Sequence, residues 1–215
     1  MYSLVIHGGA GDLTKKAIEE IKNKTGIPDL EDRYKIALKE CCEIGKDILK
    51  KKGSAKKAVL ACITYMENNE LFNAGKGSSA NSKNKYRLEA CIMDGKDRSF
   101  GACTLVNKVK NPILLADKIM ESKNVAKFIG GSNPTYKLAE KYKLETVSPH
   151  YFNSKYRTDL NNINKDHNYG TVGAVAKDMN GNIVAGTSTG GLYNKEKGRI
   201  GDTPIVNIST FADNK

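Results

Sequence analysis

A glycine–threonine pair late in the chain has the residue types needed for nucleophilic chemistry. Gly170-Thr171 follows a polar segment and precedes an apolar run at residues 172–176. If the backbone breaks between the two residues, Thr171 gains a free α-amine, whose pKa of about 7.7–8.0 lets it take the proton of the threonine hydroxyl near neutral pH. Glycine tolerates the backbone conformations that such a junction needs. On spacing alone, the simpler interpretation is that Thr171 only starts a strand.

A second candidate site lies downstream, in a glycine-rich stretch at residues 187–202. An arginine such as Arg199 binds a carboxylate bidentately, and an aspartate such as Asp202 pairs with an ammonium group. Together these two residues fit the charges of a small zwitterion. The alternative interpretation is an ordinary ion pair on a surface loop.

Two earlier glycine loops match nucleotide-binding patterns only weakly. Gly8-Gly9-Ala10-Gly11 lacks the spacing of G-x-G-x-x-G, and Gly75-Lys76-Gly77-Ser78 lacks the preceding glycine of a P-loop. Neither loop therefore carries a strong phosphate-binding signal.

Hydrophobic periodicity predicts the elements that would position these residues. Helical spacing predicts a helix over residues 31–52 and a second one capped by Ser54. Asn180-Gly181 predicts a hairpin between strands at 171–176 and 183–187, and residues 151–170 are polar, without a period, which predicts a linker. The other predicted strands lie at 2–6, 88–93, 100–106 and 125–129, with further helices beginning at Asn111-Pro112 and Asn133-Pro134. This order predicts an α+β fold, with helices layered on a mainly antiparallel sheet.

Composition excludes several classes of protein. The 215 residues include 39% hydrophobic and 27% charged ones, which is not typical of a disordered chain. No apolar run approaches the roughly 18 residues of a membrane span, and the N-terminus does not resemble a signal peptide. The five cysteines form no C-x-x-C pair, which favours reduced thiols and a cytoplasmic location.

The net charge of +11 allows two interpretations. It could attract nucleic acid or another polyanion, or it could reflect a lysine-rich solvated surface. The lysines alternate with acidic residues and lack interleaved aromatic residues, which favours the solvated surface and predicts neither a nucleic-acid nor a membrane partner.

Taken in order along the chain, the motifs resemble the isoaspartyl peptidase/L-asparaginase group of N-terminal-nucleophile (Ntn) hydrolases, also called plant-type asparaginases. The blocks that carry the resemblance lie at residues 6–11, 71–75, 88–95, 101–102, 170–176, 187–191 and 198–204. The combination of G-T-V-G-A-V, T-S-T-G-G and G-R-I-G-D is highly specific, so it favours the nucleophile interpretation of Thr171.

The resemblance implies a four-layer αββα sandwich made as one domain, residues 1–215, that cleaves itself between Gly170 and Thr171. Residues 1–170 would form the first subunit and 171–215 part of the second. By position, Thr171 corresponds to the nucleophile and Thr189 to the threonine that supports it, while Arg199 and Asp202 correspond to the substrate anchors. The supporting residues would be Asn73, Gly9 and Gly11.

The implied reaction is hydrolysis of L-asparagine and β-aspartyl dipeptides to L-aspartate, in a homodimer of processed heterodimers. No cofactor is expected apart from a structural sodium ion, bound by the backbone of Met66, Glu67, Asn69, Phe72, Ala74 and Lys76. Family members extend beyond the position of Lys215, which predicts an incomplete fold and an inactive chain as given. The rival hypothesis is a basic, non-catalytic binding protein on a degenerate version of this fold.

Overall fold

A computed structural model of the chain describes residues 1–10, 14–122, 127–163 and 170–215. In these residues six strands form one sheet, and six α-helices accompany it. The strands are β1 (Ser3–His7), β2 (Leu88–Asp94), β3 (Phe100–Val106), β4 (Phe128–Gly130), β5 (Val172–Lys177) and β6 (Ile183–Thr189). The helices are α1 (Lys15–Thr25), α2 (Leu30–Lys50), α3 (Ala55–Asn68), α4 (Pro112–Glu121), α5 (Ser132–Lys141) and α6 (Lys155–Ile163).

The sheet has the strand order β1-β5-β6-β2-β3-β4. Every neighbouring pair is antiparallel except β3 and β4, which are parallel, so the prediction of a mainly antiparallel α+β fold is confirmed. In the central hairpin Val172 lies opposite Ser188, and Glu89 of β2 lies opposite Thr189. This register brings Thr171, Thr189 and Glu89 to the same end of the sheet.

Helices α2, α3 and α4 cover one face of the sheet because each has a continuous apolar side. The predicted helix pair is confirmed, and the Ser54 hydroxyl accepts a hydrogen bond from the backbone N–H of Lys57 at 3.3 Å, as expected of an N-cap. Large apolar side chains buried in this core include Leu49, Ile63, Met66, Leu88, Ile92, Ile113, Leu115 and Ile119.

The opposite face of the sheet is covered unevenly. Above β2 and β6, Met93 and Ala185 pack against Ala212 of the C-terminal segment. Above β1 and β5, the paired residues Val5 and Val175 are 69% and 44% exposed. An apolar surface therefore lies open beside the covered part of the same face.

The linker prediction is wrong for the first part of residues 151–170. A 3₁₀ turn, Pro149–Phe152, buries Phe152 in the main core, and α6 follows it. Tyr156 and Leu160 of α6 pack with Ile21 of α1 in a second, smaller core. These contacts with a distant segment stabilise a helix that the polar composition does not predict.

Other predictions need smaller corrections. Helix α1 was not predicted at all, and the strand expected at residues 125–129 is found as the short strand β4. Gly11 and residues 123–126 and 164–169 lie outside the described residues. Within the described residues, none of the helices combines the length and the apolar character needed to cross a membrane.

Candidate active site

The carbonyl oxygen of Gly170 is held by two donors at the end of the sheet. The Thr189 hydroxyl donates to it at 2.8 Å, and the Asn73 side-chain amide donates at 3.0 Å. The backbone N–H of Gly191 donates to the hydroxyl oxygen of Thr189 at 2.9 Å. This contact leaves the hydroxyl proton of Thr189 directed towards Gly170. Two donors aimed at one carbonyl oxygen can stabilise negative charge that develops there.

Thr171 directs its hydroxyl towards a second threonine. Its Oγ1 lies 3.1 Å from Oγ1 of the buried Thr203. The Thr203 carbonyl in turn accepts from Thr187, whose hydroxyl lies 2.6 Å from that of Thr210. Sequence reasoning assigned no role to Thr203 although it follows Asp202 directly, and its buried hydroxyl next to Thr171 is visible only in the fold.

Asn73 reaches this point from a loop between α3 and β2. Its amide also donates to the Gly191 carbonyl at 2.8 Å, and its side-chain oxygen accepts the N–H of Ser79 at 2.8 Å. Its backbone carbonyl accepts the N–H of Gly190 at 2.8 Å. Asn73 therefore joins the loop, the end of β6 and Gly170, because both N–H groups and the oxygen of its side-chain amide form hydrogen bonds.

Gly9 lies directly against the Gly170-Thr171 bond. Its φ of +128° is in the region that favours glycine, and a Cβ added there would lie 3.1 Å from the Gly170 Cα. A larger residue would therefore strain the backbone and push the bond out of place. The related expectation for Gly11 lies outside the described residues.

Arg199 and Asp202 line a cleft of about 430 Å³ together with Thr171 and Thr189. No ion pair among the described residues includes either Arg199 or Asp202. The alternative of a simple surface pair between them thus has no support in this geometry. The cleft presents one cationic and one anionic group to a ligand beside the threonine hydroxyls.

Two buried charged residues that sequence reasoning did not assign lie beneath this side of the cleft. Glu89 accepts the backbone N–H of Gly201 at 3.2 and 3.1 Å, and burial raises its pKa. Lys195 donates to the carbonyl oxygens of Arg87, at 2.7 Å, and Gly190, and burial lowers its pKa to about 8. Glu89 interrupts the apolar strand β2, which is the sequence signal that could have identified it.

A second buried carboxyl, Glu67, contacts Ser188, the residue before Thr189. Its Oε1 accepts from the Ser188 hydroxyl at 2.6 Å and from the Ile113 N–H at 3.0 Å, while its Oε2 is buried without a partner among the described residues. Burial raises the pKa of Glu67 to about 7.

His7 of β1 lines the cleft as well, and burial lowers its pKa.

The loop at residues 66–77 folds back on itself closely. A Cβ added at Gly75, whose φ is +51°, would lie 2.1 Å from the Glu67 carbonyl oxygen. The carbonyl oxygens of Met66 and Asn69 accept backbone N–H groups at 3.3 Å, and that of Ala74 does so at 3.2 Å. Each of these oxygens keeps a second lone pair, so the loop has free acceptor capacity for a hard cation.

Comparisons with known proteins identify related sequences. The family model described as Asparaginase matches residues 1–215. An isoaspartyl peptidase/L-asparaginase from Danio rerio is 37% identical over 99% of this chain and 67% of its own length. The isoaspartyl peptidase of Escherichia coli is 34% identical over 98% of this chain and 68% of its own length, and the Homo sapiens isoaspartyl peptidase/L-asparaginase is 34% identical over 98% and 67%.

The chain thus spans about two thirds of the length of these relatives. The match covers the Gly170-Thr171 bond, the carbonyl-binding residues Asn73 and Thr189, and the charged side of the cleft. This chain belongs to the asparaginase family.

Proposed function

We propose that this protein cleaves itself between Gly170 and Thr171 and then hydrolyses L-asparagine and β-aspartyl dipeptides, releasing L-aspartate. The observation that carries the proposal is the Gly170 carbonyl, which two donors hold beside the Thr171 hydroxyl. An ordinary peptide bond on a protein surface does not require two side-chain donors to its carbonyl oxygen.

In the cleavage step, Oγ1 of Thr171 attacks the carbonyl carbon of Gly170. The bond from that carbon to the Thr171 nitrogen breaks, and the nitrogen takes up the hydroxyl proton to become an α-amine. Thr189 and Asn73 stabilise the charge on the carbonyl oxygen. Water then hydrolyses the resulting ester, which leaves a Gly170 carboxylate and a free Thr171.

In the hydrolytic reaction, the α-amine of Thr171 accepts the proton of its own hydroxyl. The hydroxyl oxygen attacks the side-chain carbonyl of the substrate, and the proton passes to the departing ammonia or amine. Water hydrolyses the acyl-enzyme ester and releases L-aspartate. The Arg199 guanidinium would bind the substrate α-carboxylate and the Asp202 carboxylate its α-ammonium group.

Several further properties belong to the same proposal. The free acceptor capacity of the loop at residues 66–77 supports a structural sodium ion, bound by carbonyl oxygens of Met66, Glu67, Asn69, Phe72, Ala74 and Lys76. The open apolar surface at Val5 and Val175 supports a second sheet packed on that face, giving a four-layer sandwich. We also propose a homodimer of processed heterodimers, and a cytoplasmic location supported by five free thiols.

The rival hypothesis, a basic binding protein, is not favoured. The relatives are enzymes by name, and the cleft contains the Thr171 hydroxyl beside the charged groups of Arg199 and Asp202. It makes a distinct prediction that can be checked directly. Binding of nucleic acid would weaken steeply with added salt, because phosphate contacts release counterions.

The test is made on the chain extended with the C-terminal part that its relatives have, and it compares Thr171→Ala and Thr171→Ser with this parent protein and with Thr158→Ala, a control at an exposed position. The parent and the control should yield two bands on a denaturing gel, with Thr171 as the new N-terminus of one. Thr171→Ala should stay intact and release no aspartate, and Thr171→Ser should cleave more slowly. Cleavage of Thr171→Ala at the parent rate would overturn the assignment of the nucleophile.

A further inference from the structure

A buried arginine holds both sides of the loop that carries Asn73. Arg157 of α6 is 7% exposed. Its Nε donates to the Gly77 carbonyl oxygen at 2.6 Å, and its Nη2 donates to the Leu71 carbonyl oxygen at 3.0 Å. The two carbonyls precede and follow Asn73 in the chain, so a single guanidinium bridges the loop around it.

Among the described residues, the guanidinium of Arg157 hydrogen-bonds to these two carbonyl oxygens alone. No ion pair among the described residues includes it. Burial of a cation is costly, and the hydrogen bonds from Arg157 to the two carbonyl oxygens offset part of that cost. The planar fork of a guanidinium suits two acceptors on opposite sides of a loop, whereas an ammonium group cannot span them in the same way.

Helix α6 is itself fixed in place beside Arg157. Tyr156 packs in the small core with Leu30, and its hydroxyl lies 2.9 Å from that of Tyr34. The Tyr34 hydroxyl also donates to the Leu71 carbonyl at 2.9 Å, so two side chains meet at that oxygen. The guanidinium therefore approaches the loop from a rigid support.

We propose that Arg157 is a positioning residue for self-cleavage, which acts by holding Asn73 where its amide meets the Gly170 carbonyl. The inference rests on the proposed cleavage at Gly170-Thr171. It assigns a role to a residue that lies just upstream of the bond to be cleaved and does not touch it. Misplacement of a reacting group by about 1 Å can cost about a hundred-fold in rate, so the effect should be measurable.

The experiment follows the rate of self-cleavage in Arg157→Ala, Arg157→Lys and the parent protein. Lys155→Ala is the matched control, because Lys155 lies on the same helix and its side chain is 89% exposed. We expect Arg157→Ala to cleave roughly ten- to a hundred-fold more slowly, Arg157→Lys to fall between it and the parent, and the control to match the parent.

Chemical rescue separates positioning from general destabilisation. Guanidinium chloride at millimolar concentration should raise the cleavage rate of folded Arg157→Ala, whereas sodium chloride and urea at the same concentration should not. Cleavage of Arg157→Ala at the parent rate, or a slow rate that guanidinium does not change, would overturn the proposal. If Arg157→Ala does not fold, parent-rate cleavage by Arg157→Lys would overturn it.

Hydrogen exchange tests the same inference without relying on cleavage. In a Thr171→Ala background, Arg157→Ala should speed exchange of the Ser79 and Gly190 amides, which donate to Asn73. Lys155→Ala should leave both amides unchanged. If the parent protein does not cleave, the proposed function fails, and unchanged exchange in Arg157→Ala would separately show that Arg157 does not hold Asn73.

Discussion

The two sides of the cleft hold their residues by different means. On the Gly170-Thr171 side, the hydrogen bonds to the two residues come from neutral groups, namely the Thr189 and Thr203 hydroxyls and the Asn73 amide. On the opposite side, Arg199 and Asp202 face the cleft above the buried charges of Glu89 and Lys195. The difference fits the proposed function, in which self-cleavage requires orientation of a peptide bond and substrate binding requires charges that complement a zwitterion.

The largest expected effect lies on the neutral side. Thr189→Val keeps the shape of the side chain but removes the hydroxyl that donates to Gly170. Loss of one such donor typically slows a reaction by about 10²- to 10³-fold, and we expect self-cleavage to slow by that factor. The measurement is the rate of appearance of the two bands, with Thr189→Ser as a control that keeps the hydroxyl. A parent-like rate for Thr189→Val would show that this donor is dispensable.

A smaller effect is expected on the charged side. Arg199→Gln or Asp202→Asn leaves one charge of the substrate unpaired, and charge-assisted hydrogen bonds contribute about 1.5–3 kcal/mol each. In cleaved protein, kcat/KM for a β-aspartyl dipeptide should fall roughly ten- to a hundred-fold, while the self-cleavage rate is unchanged. Lys197→Gln, at an exposed position on the same loop, is the control. If self-cleavage and hydrolysis are lost together, the two sides of the cleft do not act separately.

The smallest expected effect comes from Glu67, a carboxyl buried beneath the neutral side. Its pKa is raised from 4.5 to about 7, so the folded protein binds the proton more tightly than the unfolded chain does. Its contribution to stability is therefore fully present below pH 4.5 and is lost as the pH rises through about 7. Between pH 5 and pH 7, this shift corresponds to a loss of about 2 kcal/mol in the free energy of unfolding.

Glu67→Gln should remove the fall in the free energy of unfolding between pH 5 and pH 7, because glutamine does not titrate but can still form hydrogen bonds. Urea unfolding at several pH values would measure it, with Glu19→Gln, at an exposed position, as the control. An unfolding free energy that depends on pH equally in Glu67→Gln and in the parent would mean that Glu67 stays charged. The neutral side of the cleft would then rest on a buried negative charge, and the contrast with the charged side would weaken.

The sequence predicts the parts of the fold that follow local rules. Helices α2 and α3 repeat apolar residues at helical spacing, and the hairpin of β5 and β6 has the expected Asn180-Gly181 turn. Helices α1 and α6 are not predicted because each is polar and neither has the Asn-Pro start signal that indicates α4 and α5. They are stabilised by contact with each other through Ile21, Tyr156 and Leu160, and no local pattern reports such a contact.

The site divides in a similar way. Gly170, Thr171 and Arg199 stand in motifs that can be recognised in order along the chain, and the fold brings these motifs to one cleft. The roles of Thr203 and Arg157 depend instead on which oxygen each side chain meets, at separations of 32 and 80 residues along the chain. Thr203 stands in the block at residues 198–204 and Arg157 in a polar segment, but neither sequence context indicates which oxygen the side chain meets.

The strand order has a consequence for the protein after cleavage. Strands β5 and β6 would belong to the second piece, yet they lie between β1 on one side and β2 on the other, both from the first piece. Each piece would complete the hydrogen bonding of its counterpart's strand edges, and separating them would break two strand pairings and expose two edges on each piece. The two pieces of the cleaved protein should therefore stay associated, and exchange of pieces between molecules would require unfolding of the sheet.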